Sequence, residues 1–139
     1  MTEIALILQS VSWQQVLPVR HQVLWPDKPE SFCRVEGDES GWHLGGFVGD
    51  QLVSVASVYY HGNEARLRKF ATLPAFQRQG IGTAMLSQLL TQLRSQSVHY
   101  FWCDARETAQ GFYQRFGLQV EGERFYKGDT AYFRMGLWC

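Results

Sequence analysis

Thr72-Leu73-Pro74-Ala75-Phe76-Gln77-Arg78-Gln79-Gly80-Ile81-Gly82-Thr83-Ala84-Met85-Leu86 reads as the end of a strand, a polar turn with two glycines, and the opening of an amphipathic helix. A helix start leaves backbone N–H groups without partners and carries the positive end of the helix dipole. Glycine at 80 and 82 removes the Cβ atoms that would keep an anion away from that backbone. Gln77, Arg78 and Gln79 bring donors and one charge, and Thr83 adds a hydroxyl in the first turn. The segment therefore suits a phosphorylated ligand. The competing reading is that the two glycines serve only a tight strand-to-helix turn. Two other phosphate motifs are excluded. No G-x-x-x-x-G-K-[ST] run exists, and the third glycine position of a dinucleotide turn is taken by Met85. No acidic residue lies between Met85 and Val98, where a ribose-binding carboxylate would stand.

Working outward, Ile81, Met85, Leu86, Leu89, Leu90 and Leu93 form one apolar stripe, opposite Thr83, Ser87, Gln88, Thr91 and Arg94. The strand before the turn spans Ala65 to Leu73. Simple alternation would put Leu67, Lys69, Ala71 and Leu73 on one face and Arg66, Arg68, Phe70 and Thr72 on the other. Val98 to Cys103 reads as a buried strand, and Arg106 to Phe116 as a second helix ending at Gly117. Upstream, Ile4 to Leu8 has strand length. Ser12-Trp13-Gln14-Gln15 is a capping box for a helix to about Leu24, with Pro18 a kink or a redefinition of its start. Trp25 to Glu30, with two prolines, is loop. Trp42 to Val48 and Gln51 to Tyr60 pair across Gly49-Asp50, and final strands at Leu118 to Glu121 and Ala131 to Trp138 enclose a Gly128-Asp129 turn. The pattern is a mixed β-sheet flanked by helices, an α/β (α+β) fold, as one domain over residues 1–139.

Composition narrows the function. With 13 basic and 13 acidic residues the formal charge is zero, which supports neither a nucleic-acid nor a membrane-surface partner. No apolar run approaches the roughly 20 residues of a membrane helix, and Met1 to Ser10 has an acid at Glu3 and lacks the basic start and cleavage site of a signal peptide. Cys33, Cys103 and Cys139 are scattered, as reduced thiols of a cytoplasmic protein would be. Neither they nor His21, His43, His61 and His99 have metal-ligand spacing, so no metal is expected.

The Gln-x-x-Gly-x-Gly order at Gln77 to Gly82 resembles the coenzyme-A signature of the GNAT superfamily of N-acetyltransferases, and the likeness runs from Phe70 to Leu90. A second stretch, Ala105-Arg106-Glu107-Thr108-Ala109-Gln110-Gly111-Phe112-Tyr113-Gln114-Arg115-Phe116-Gly117-Leu118, resembles the family's A-R-x-x-A-x-x-F-Y-x-x-x-G-F hallmark, with Leu118 replacing the final Phe. Arg20 to Pro26 is similar to a segment seen in a subset of the family. The resemblance implies a sheet splayed between the strands at Ala65–Leu73 and Val98–Cys103. Pantetheine would pair with Phe70, Ala71 and Thr72, and the pyrophosphate would sit on Gln77, Arg78, Gln79, Gly80, Ile81, Gly82 and Thr83. Gln77 fits the family pattern, whereas Arg78 stands where glycine is common.

The implied activity is acetyl transfer from acetyl-CoA to a primary amine by direct attack, with coenzyme A as product. By the same resemblance, Tyr113 is the general acid for the departing thiolate. From the residues alone Tyr113 belongs to the Ala109/Phe112/Phe116 apolar stripe and reads as core. A thiol pKa of about 8.5 and a tyrosine pKa of about 10 make the proton transfer feasible. A backbone N–H near Ala71 or Thr72 would hold the oxyanion. His61, Glu64, Asp104 and Glu107 are the candidate bases, none favoured, and Cys103 reads as inert core rather than nucleophile. Trp25, Trp42, Tyr59, Tyr60, Phe125 and Tyr126 are candidate walls of an acceptor pocket. Glu30, Glu36, Asp38 and Glu39 make one loop acidic, a feature of a cationic acceptor or simply of a solvated loop. The acceptor is a small molecule or a peptide, and a homodimer is the commonest assembly for such a chain. The alternatives are a non-catalytic acyl-CoA-binding or regulatory domain and a small nucleotide-binding protein.

Overall fold

The computed structural model describes residues 5–139 and holds one seven-stranded sheet. In chain order its elements are β1 (Leu6–Val11), α1 (Trp13–Leu24), β2 (Trp42–Val48), β3 (Gln51–His61), β4 (Glu64–Thr72), α2 (Ile81–Arg94), β5 (Tyr100–Arg106), α3 (Gln110–Gln114), β6 (Gln119–Lys127) and β7 (Thr130–Trp138). The strand order is β1-β2-β3-β4-β5-β7-β6, antiparallel except where β4 runs parallel to β5. Three hairpins turn through Gly49-Asp50, Gly62-Asn63 and Gly128-Asp129, each with its glycine at positive φ, as a type II′ turn requires.

Local chemistry explains α1. Ser12 accepts from the Gln15 backbone N–H at 3.2 Å while the Gln15 side chain accepts from the Ser12 N–H at 2.8 Å, the reciprocal box read from the sequence. Pro18 sits inside the helix without ending it. The stripe of α2 is buried throughout: Ile81, Met85, Leu86, Leu89, Leu90 and Leu93 all lie in the core. Met85 packs on the open side of Gly46 in β2. Arg20 of α1 reaches Ser57, whose strand neighbour in β2 is His43. Gly46 and His43 are three residues apart on one strand, so α1 and α2 cover opposite faces of the sheet.

Four boundaries differ from the sequence reading. The first strand runs from Leu6 to Val11, later than Ile4 to Leu8, and Ile4 lies outside the described residues. Arg106 is the last residue of β5 and not the first of a helix; a 3-10 turn at Glu107–Ala109 leads into an α3 of only five residues. β6 continues to Lys127, past a register shift between Glu121 and Phe125, and the stacking of Phe125 on Tyr132 anchors its far half. The fourth correction concerns β4. Val55 faces Ala71 but Ser57 faces Arg68, so β4 holds one extra residue, and Lys69 stands there at φ 55°. Leu67 opposes Val58 and Ala71 opposes Val55, which places Leu67 and Ala71 on opposite faces rather than the same one. Both are buried because helices cover both faces.

Candidate active site

β4 and β5 pair only from Glu64–Arg66 to Tyr100–Trp102. Beyond Arg66 the edge of β4 that would continue the ladder, including Phe70, Ala71 and Thr72, has no strand beside it among the described residues. Its amide groups are thus available to an extended ligand. The gap opens as a cleft of about 590 Å³ lined by both strands, the end of α1, Gln77, Tyr113 and the β6–β7 hairpin. A second depression, about 750 Å³ over Ser31 to Ser40, is surrounded by loop surface and has no open strand edge.

The turn predicted to take phosphate lies at the mouth of this cleft. Gly80 caps α2 in the left-handed region at φ 82°, with no side chain satisfying the helix start. The first intrahelical bond is Ala84 N–H to Gly80 O at 3.1 Å, so the N–H groups of Ile81, Gly82 and Thr83 have no helical partner. A Cβ on Gly82 would rest at ordinary contact distance, 3.7 Å from Phe70 and 3.8 Å from Phe112. Packing alone therefore does not demand glycine at 82, whereas close approach of a ligand would. Arg78 is exposed at φ 61°. The two glutamines behave differently from expectation: Gln77 donates to Thr72 O at 2.9 Å and Gln79 to Ala75 O at 3.1 Å, bracing the turn itself.

Tyr113 of α3 enters the cleft on the β5 side, its hydroxyl facing the Cys103 thiol. Burial, and then Cys103, push the Tyr113 phenol far above its ordinary value, so it stays protonated. Burial raises the Cys103 thiol to about 12, which removes it as a nucleophile. Of the four candidate bases, only Asp104 lines the cleft, and Arg66 at 2.9 Å and Lys127 at 3.5 Å already hold its carboxylate. Glu107 pairs with Arg124 at 2.6 Å, while His61 and Glu64 flank the exposed Gly62-Asn63 turn. Among the aromatics, Trp25 lines the cleft; Trp42 donates to Ser10, Tyr60 is exposed, and Tyr59 belongs to a buried polar cluster.

That cluster fixes the α1 wall. Arg20, fully buried, grips Asp38 through both guanidinium nitrogens at 2.9 and 3.0 Å and donates to Cys33 O, Ser57 Oγ and Tyr59 Oη. Asp38 also accepts from the Val35 N–H at 2.8 Å and from the Tyr59 hydroxyl. Burial opposes its ionisation, yet the bonds from Arg20, Tyr59 and Val35 together hold its carboxyl below the usual range. His43 Nε2 donates to Asp38 O at 2.8 Å and its Nδ1 meets Ser57 Oγ at 2.7 Å, so the ring bridges β3 to the same loop. Two of the four acids of this loop are thus spent internally: Asp38 is buried on Arg20, and Glu39 pairs with Arg34. Arg66, Arg68, Lys69, Lys127 and Tyr132 line the cleft as well, and the sequence reading did not single them out for the site.

A sheet splayed beside an uncapped helix start, with a tyrosine in the gap, defines the fold class of the acyl-CoA N-acyltransferases. Residues 18–138 match the family model of the acetyltransferase (GNAT) domain, and the chain belongs to that family of acetyl-transferring enzymes. It is 29% identical over 127 residues, 85% of each chain, to an uncharacterised N-acetyltransferase, YitI, of Bacillus subtilis (strain 168). Its fold is shared with ElaA of Escherichia coli (TM-score 0.80, 18% identity, covering 94% of this chain and 98% of that one). It is shared too with the ribosomal-protein-S18-alanine N-acetyltransferase of Escherichia coli (TM-score 0.80, 18% identity, covering 96% and 93%). No helix among the described residues is long and apolar enough to cross a membrane, and no cluster of three potential metal ligands occurs among them.

Proposed function

We propose that the chain transfers the acetyl group of acetyl-CoA directly to a primary amine, with Tyr113 protonating the departing thiolate. The observation that carries this reading is the open edge of β4 running into the uncapped start of α2, with Tyr113 across the gap. Pantetheine pairs with the edge at Phe70, Ala71 and Thr72. The pyrophosphate rests on the backbone from Gln77 through Thr83, with Arg78 adding charge and Gly80 and Gly82 leaving room. The amine nitrogen attacks the thioester carbon, and the carbonyl oxygen becomes an oxyanion held by a strand N–H near Ala71 or Thr72. As the carbon–sulfur bond breaks, sulfur takes the Tyr113 proton, and the proton shed by the nitrogen restores the phenol through solvent.

The raised pKa of Tyr113 suits this task. The burial that destabilises tyrosinate destabilises a thiolate in the same cleft, as the rise at Cys103 illustrates, so the two pKa values climb together. Asp104 is too firmly held to be the base by itself, and the amine enters neutral or loses its proton through water. The three free cysteines agree with a cytoplasmic setting.

Thermal unfolding with acetyl-CoA, CoA, ATP and NAD in parallel tests the reading. Ligand at 100 times Kd adds about 2.7 kcal/mol, a rise of several degrees at this size. A rise with acetyl-CoA and CoA alone supports it; a rise only with ATP or NAD, or none, removes it. A protein that binds CoA and gains nothing from Tyr113 would instead be a binding module.

A further inference from the structure

On β5, Cys103 and Asp104 point to opposite faces, so the cleft has two walls. Tyr113 lies with Cys103 on one wall. Arg66 bonds Asp104 at 2.9 Å and stacks over Trp102 at 4.5 Å, which puts Arg66, and Arg68 two residues on, against the other wall. Lys69, turned out by the bulge, stacks over Trp25 at 4.5 Å on the same side. Lys127 arrives from the β6–β7 hairpin. This second wall and its rim carry Arg66, Arg68, Lys69, Arg106 and Lys127 against a single lining carboxylate, Asp104.

Asp104 is occupied by Arg66 and Lys127. Among the described residues neither Arg68 nor Lys69 has a carboxylate within 4.0 Å, and Arg66 Nε is buried with no partner. The cations press on one another. Burial first, then Arg68 and Lys127, lower Lys69 to about 8, and burial and Arg66 lower Arg68. A half-buried cationic wall with a single counter-charge is costly to keep, and an anionic ligand relieves that cost.

We propose that the acceptor is a small amine that also carries a carboxylate, bound by Arg68 and Lys69 on the wall facing Tyr113. This rests on the acetyltransferase reading above and names its substrate class. Lys69 stands two residues from Ala71, roughly 7 Å of strand. An ion pair at Lys69 or Arg68 therefore leaves the amine of a short bifunctional molecule within reach of the thioester. Arg68 offers the planar fork that takes a carboxylate by two bonds. Trp25 and Tyr132 supply apolar surface for the rest of the molecule. The same wall repels polyamines and aminoglycosides.

The test measures CoA release at fixed acetyl-CoA with free α-amino acids, their C-terminal amides and spermidine. Free acids exceed their amides in kcat/KM by at least about 10-fold, and Arg68→Gln raises the KM of the acid about 10–100-fold. Arg68→Lys restores part of that loss. The thermal shift with CoA checks folding and the donor site, and it survives Arg68→Gln. Amides or spermidine turned over as well as the acids overturn the inference, as does an unchanged acid KM in Arg68→Gln. A variant whose KM rises for acetyl-CoA instead assigns the cations to the donor. CoA binding without turnover of any carboxylate-bearing amine overturns this inference alone; no CoA binding removes the acetyltransferase reading beneath it.

Discussion

Replacing Asp38 by Asn tests whether the cleft's α1 wall hangs on a buried ion pair. Both side chains of the Arg20–Asp38 pair are fully buried, and the carboxylate takes two guanidinium bonds, the Val35 N–H and the Tyr59 hydroxyl. Asparagine keeps the shape but turns one acceptor into a donor that faces Arg20. The guanidinium, whose Nε already lacks a partner among the described residues, is then a buried cation that has lost its carboxylate. Removing one member of such a pair costs about 3–5 kcal/mol. At roughly 3–5 °C per kcal/mol for this length, Tm falls by about 9–25 °C. Arg20→Met with Asp38→Asn removes both charges, and the double variant costs clearly less than the two singles added together, because each single strands the other's charge. Urea unfolding of all four proteins at pH 7 measures the cycle. A loss below about 1 kcal/mol for Asp38→Asn, or strict additivity, refutes the reasoning. The pH dependence has a definite sign. A carboxyl held below its unfolded pKa of about 3.9 contributes its full stability above that value and loses it as pH falls through the depressed folded value. The wild type therefore loses an acid-sensitive part of its stability that Asp38→Asn never had.

Three further predictions follow from single groups. Tyr113→Phe lowers kcat by about 10²–10⁴ with the acetyl-CoA KM little changed, read by thiol release; an unaltered kcat assigns Tyr113 to packing. Gly82→Ala leaves room for its methyl and gains up to about 1 kcal/mol of helix propensity, yet weakens the CoA-induced thermal shift. A destabilised Gly82→Ala protein, or one that binds CoA as before, contradicts the close-approach argument. Lys69, at about 8 when folded and about 10.4 when unfolded, binds more protons in the unfolded chain between those values. Stability from this group thus rises as pH climbs from about 8 to about 10.4, and Lys69→Met flattens that rise in urea titrations; an unchanged slope refutes it.

The parts legible in the sequence are those governed by neighbours along the chain. The capping box at Ser12, the glycine turns at Gly49 and Gly128, the stripe of α2 and the uncapped turn from Gln77 to Thr83 depend on contacts a few residues apart. Periodicity and turn chemistry see such contacts directly. The role proposed for Tyr113 comes from the pattern around it, because a tyrosine on an apolar stripe looks like core; folding adds that Tyr113 lines the cleft. The rest needed the partner strand. Nothing in Arg66-Leu67-Arg68-Lys69-Phe70 announces an extra residue; the bulge exists only in the register against Val55 and Ser57. That single residue puts Leu67 and Ala71 on opposite faces and turns Lys69 toward Trp25. Asp38 reads as one acid among several in a loop, and only a guanidinium 18 residues away makes it a buried anchor. The sequence by itself determined the family, the elements and the turn that suits a phosphate. Tertiary structure decided where β4 leaves β5 and which charges in the cleft remain uncompensated, because both depend on groups that folding brings together from distant positions.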